Sequence, residues 1–144
     1  MSAKELYNQD FFEWTQCNAA LLRAGRFDQA DIEHVAEEIE DMGNRDWREL
    51  FSRLQVLVVH LLKWQAQPEM RSPSWEDTIE TQRDEIALLL QDAPSLRNHA
   101  AQVLPRLYPK AAHRAARETK LPNSAFREGC PWTIDQILDP GFLP

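Results

Sequence analysis

One stretch of the chain, Trp47 to Trp64 (WRELFSRLQVLVVHLLKW), becomes apolar on every side, and this limits what the rest can fold into. At about 100° per residue, Leu50, Leu54, Leu57, Val58, Leu61 and Leu62 share one broad face with Trp47, Phe51 and Trp64. The other side changes along its length. Its first half carries Arg48, Glu49 and Ser52, whereas the second carries Val56, Val59, His60 and Lys63. A helix that is apolar all round has to be enclosed by other elements. The expectation is an all-α fold: a helical bundle of four to five main helices around this axial one. It is read as a single domain over 1–144, with the main bundle over about 8–120 and a docking C-terminal tail over 121–144.

With 43% apolar and 27% charged residues, the chain has the composition of a globular protein rather than a disordered one. The net charge of −7 conceals a polarity, since residues 1–92 hold 19 acids against 9 bases and 93–128 hold 2 against 7. Met1 to Trp14 contains Glu5, Asp10 and Glu13 and no apolar run, unlike a signal or transit peptide. No span has the length of a membrane crossing, so no membrane partner is expected. Cys17 and Cys130 are far apart and in no metal-type spacing; free thiols and a cytoplasmic location are the expectation.

Along the chain, Asn8 or Asp10 can cap a helix from about Phe11 to Ala24, with Gly25 as its left-handed stop. Its core face is Phe11, Trp14, Cys17, Leu21 and Leu22. Asp28 is read as the cap of a second helix whose core face is Ile32, Val35, Ala36, Ile39 and Met42, ended by Gly43-Asn44. The axial helix would then be its antiparallel neighbour. Ser74-x-x-Asp77 reads as a capping-box variant opening a fourth helix from about Trp75 to Gln91. Ser95 reads as the cap of a fifth helical region, to about Lys120, that Pro105 and Pro109 should kink or break. Thr133-x-x-Gln136 is a capping box for a short helix, Ile134 to Leu138, in an apolar tail.

Several of these landmarks occur together in one order: Tyr7-x-x-Asp10-Phe11, AALLRAGRFDQAD from Ala19, EEIEDMG from Glu37 and SRLQVLVVHLLKWQ from Ser52. SWEDTI from Ser74, Gln82-Arg83, APSL from Ala93 and CPWTIDQIL from Cys130 follow, with Phe142-Leu143-Pro144 at the end. Over nearly its whole length the chain resembles the bacterial domain-of-unknown-function family numbered twenty-nine. That resemblance implies an all-helical domain and supplies no catalytic residues. Pro105 and Pro109 depart from its pattern.

Three groups of residues invite a functional reading. His60 lies on the enclosed half of the axial helix and Gln82 in the middle of the fourth. With Glu38, Lys63, Thr78 and Arg83 they define a possible buried polar cluster, more simply read as a register-fixing network than as an acid–base site. Glu37-Glu38-x-Glu40-Asp41 is similar to the acid clusters that hold magnesium in helical hydrolases. Asp31-x-x-His34 is half of a helical di-metal motif. Both lack their partner motif, and most of these acids oppose the apolar stripe, as on a solvated face. Arg106, Lys110, His113, Arg114, Arg117 and Lys120 form a basic side with no interleaved aromatics. The four glycines are isolated at 25, 43, 129 and 141, so there is no phosphate-binding loop.

The leading expectation is a non-enzymatic interaction or regulatory module, with a protein partner or self-association and no cofactor or metal. A metal-dependent helical hydrolase of phosphate-containing small molecules is the alternative. Nucleic-acid binding through residues 106–120 is a second one, less favoured.

Overall fold

The computed structural model describes residues 1–144 and contains six α-helices and no strand. They gather into two compact units, Met1–Arg45 and Asp46–Pro144. No helix is long and apolar enough to cross a membrane.

In the first unit, α1 (Ala3–Gln9) is capped by Ser2, whose hydroxyl accepts from the Glu5 amide while the Glu5 carboxylate takes the Ser2 amide. Asp10 ends α1 and starts α2 (Phe11–Arg23), its side chain accepting from the Glu13 amide at 3.0 Å. Gly25 follows with φ of +73°. Its amide bonds to Leu22 and that of Arg26 to Leu21, which satisfies the last carbonyls of α2. The next helix starts at Ile32, immediately after Asp31, rather than at an Asp28 cap. Asp28 is exposed in the turn between the two helices.

That helix, α3, is the largest departure from the sequence expectation. It runs without interruption from Ile32 to Ala66, so there is no turn at Gly43-Asn44 and no antiparallel pair on either side of it. Gly43 has ordinary helical backbone, with no positive φ. A helical glycine costs about 1 kcal/mol relative to alanine, and with no proline in the run neither that penalty nor the cap-type residues Asn44 and Asp46 end the helix.

In the second unit the C-terminal half of α3 is the buried axis. Leu50, Leu54, Leu57, Val58, Val59 and Leu61 are all 0% exposed, so the side carrying Val59 is covered as well as the leucine face. Around it lie α4 (Pro73–Asp92), α5 (Leu96–Thr119) and α6 (Ile134–Leu138). Helix α4 is capped by Ser72 rather than Ser74; Pro73 takes the first position, where its missing amide costs nothing. Helix α5 is a single helix with both prolines inside it, and Ser95 makes no side-chain cap. Pro105, Pro109 and Ala101 are exposed, so the carbonyls deprived of amide partners lie on the solvent side. Its buried line, Ala100, Val103, Leu107, Ala111 and Ala115, continues past both prolines. The tail packs through Trp132 and Ile137 against the core, and Thr133 and Gln136 form the expected capping box.

Candidate functional site

The densest polar constellation lies within Met1–Arg45, where sequence reading had singled out only fragments. Asp31 is buried, and its Oδ2 accepts from Trp14 Nε1 at 3.0 Å and from His34 Nδ1 at 2.6 Å. The Asp31 amide donates to Asn18 Oδ1 at 2.7 Å, and Asn18 Nδ2 donates to the Trp14 carbonyl at 2.9 Å. The Tyr7 ring stacks on His34 with centroids 3.7 Å apart, and its hydroxyl donates to Glu38 at 2.6 Å. Burial pushes the Asp31 carboxyl up, but hydrogen bonds from Trp14 and His34 outweigh it and leave it below its ordinary value. The bond to Glu38 raises the Tyr7 hydroxyl to about 12. Each member thus has its partner inside the network, which ties the start of α3 to α1 and α2. Asn18 was the member hardest to foresee; its only signal is the spacing of four from Trp14.

The residues expected to form one buried cluster are each engaged separately. Glu38 is the Tyr7 acceptor just described. His60 Nδ1 donates to the Val56 carbonyl at 2.8 Å, a bond within its own helix. Lys63 pairs with Glu118 at 3.7 Å and lies over the Trp75 ring. Thr78 donates to the Ser74 carbonyl, and Gln82 accepts from Arg53 at 3.3 Å. Arg83 is the informative one: its guanidinium donates to the carbonyls of Ile137 at 2.8 Å, Pro140 at 3.4 Å and Phe142 at 2.7 Å. It is a clamp on the tail. Burial lowers the pKa of His60, with Lys63 and Arg114 acting in the same direction and the Val56 carbonyl and Glu118 opposing. Glu76, Glu80 and Asp84 border a cleft whose walls include Ile79, Arg83 and Pro140.

Elsewhere, Glu37, Glu40 and Asp41 are exposed on α3. No three His, Cys, Asp or Glu side chains converge as metal ligands would. On α5, Arg106, Lys110, His113, Arg117 and Lys120 are exposed, while Arg114 bonds Glu118 at 3.0 Å.

The other salient surface was expected to be core. Along the first half of α3, Ile32 is 48%, Ile39 59% and Met42 55% exposed, with Ala36 also exposed and Val35 half-buried. Phe11, Phe12 and Phe27 of the same unit are exposed too. In this unit α1 and α2 engage the start of α3 through His34, Glu38 and the preceding Asp31 instead, that is, through its polar side.

Fold and side-chain arrangement therefore define an all-helical domain whose buried polar groups serve its own architecture. The chain belongs to the family described as "Domain of unknown function DUF29", whose model matches residues 6–143. No curated protein and no solved structure matches it.

Proposed function

We propose that the protein is a non-enzymatic interaction module that engages a protein partner through the first half of α3. One observation carries this reading: the apolar stripe Ile32, Val35, Ile39 and Met42 recurs at helical spacing, yet three of its four members are about half or more exposed. Apolar residues at helical spacing that stay exposed form a face of the kind that is covered on binding. The network of Asp31, His34, Tyr7 and Glu38 supports the same role, because it holds that helix to α1 and α2 by polar bonds and leaves the apolar side free.

A photo-crosslinking amino acid placed at position 39, and in a second variant at position 41 on the acidic side, tests this in the native cell. Discrete protein adducts at position 39 but not at 41 are expected. Equal adducts at both positions, or none at 39, would overturn the reading.

A further inference from the structure

The charge around the open stripe specifies what can cover it. Residues 1–45 carry ten acids against four bases. The ion pairs of this unit are Lys4 with Glu33 at 3.8 Å and His34 with Asp31, so Glu37, Glu40 and Asp41 are uncompensated. By helical spacing Glu33 and Glu40 lie along one edge of the stripe, next to Ala36. A second copy of this chain is a poor occupant: two such stripes packed antiparallel about a two-fold axis would set each Glu40 against the other copy's Glu33, with only the exposed Lys4 beside Glu33 to offset the pair. Anionic lipid surfaces are repelled for the same reason. An occupant with apolar residues at spacings of three and four and lysine or arginine beside them meets both demands: it buries Ile39 and Met42 and places cations against the free carboxylates.

We propose that the first half of α3 docks a basic amphipathic helix from another protein, an inference that rests on the interaction reading above and adds the chemistry of the partner. The stripe spans about three turns, or roughly 15 Å, which matches one short helix laid alongside it. Apolar burial supplies affinity; the acidic edge supplies selection and association rate.

The test uses the full chain and three labelled synthetic peptides of about 18 residues, roughly five helical turns. One carries leucines on one face and lysines elsewhere, one has glutamates in place of the lysines, and one is a scramble of the first with no apolar face. Fluorescence anisotropy should show the lysine peptide binding at least about tenfold tighter than either control, with the preference shrinking as salt is raised. Ile39→Asp should abolish binding while leaving the thermal melt unchanged, although it adds negative charge. If the scramble binds equally, or Ile39→Asp binds as well or better, attraction is merely electrostatic and the proposal fails. If the glutamate and lysine peptides bind equally and Ile39→Asp abolishes both, the face docks helices without charge selection; the partner chemistry is then wrong and the interaction reading stands. If no peptide binds and the chain sediments as a dimer dispersed by Ile39→Asp, a second copy is the occupant, with the same consequence. Absence of all binding in a monomer that gives no adduct at position 39 removes both.

Discussion

The two halves of α3 have apolar residues at the same helical spacing and opposite fates. In the second half, Leu50, Leu54, Leu57 and Leu61 are 0% exposed; in the first, Ile32, Ile39 and Met42 are each about half exposed. Periodicity records only that a face is meant to be covered. What covers it depends on the rest of the chain. Asp46–Pro144 supplies α4, α5 and a clamped tail, whereas Met1–Arg45 packs α1 and α2 against α3 through Tyr7, Trp14 and a polar network.

Paired truncations test this contrast most severely. Leu57→Ala should cost about 2–5 kcal/mol in chemical denaturation, because it leaves a cavity in a filled core, while Ile39→Ala should stay within about 0.5 kcal/mol. Comparable losses at both sites would erase the distinction. A smaller effect is expected from the clamp that helps keep the second unit closed: Arg83→Ala strands three tail carbonyls and should cost about 1.5–3 kcal/mol, read as faster amide exchange over 134–142. Arg83→Lys should not restore protection, since an ammonium lacks the planar fork that reaches several carbonyls.

Gly43→Ala sharpens the account of the exposed half. Nothing lies within 4 Å of a Cβ built there and the backbone is helical, so the variant should be more stable by about 0.5–1 kcal/mol in thermal unfolding. A loss would mean that the helix turns at this glycine. Gly25→Ala should do the opposite, because φ of +73° strains any side chain.

The smallest effect is on pH dependence in the buried half. The folded pKa of His60 is depressed, so the unfolded chain takes up its proton first. The histidine's stabilising contribution is full above its ordinary value of 6.5 and is lost as pH falls through the folded value. Denaturation between pH 7 and 5 should show this decline, flattened in His60→Gln. An equal decline in the variant would assign it to other groups.

Local chemistry was legible in the sequence. Asp10 as a cap, Gly25 as a left-handed stop, the Thr133 and Gln136 box and the enclosed stretch around Val59 each depend on residues a few positions apart. The misreadings came from competition between local signals: Ser72 followed by Pro73 outcompetes Ser74 as a cap, and one glycine, even followed by Asn44 and Asp46, does not stop a helix that continues on both sides. The polar arrangement was only partly visible. His60 is half-buried rather than a core residue and bonds within its own turn, but the role of Arg83 lies 54 to 59 residues away in the tail carbonyls, and no spacing rule reaches so far. The open stripe was the least legible feature, since a face awaiting a partner and a face awaiting a core have the same pattern.

Hydroxyl-radical footprinting of the chain, at a concentration where sedimentation shows a monomer, tests the open stripe most directly. Ile39 and Met42 should be oxidised at close to their unfolded-chain rates, once intrinsic reactivity is allowed for, while Leu57 and Val59 are strongly protected. Protection of Ile39 and Met42 matching that of Leu57 would mean that the chain covers this face itself, contradicting the account.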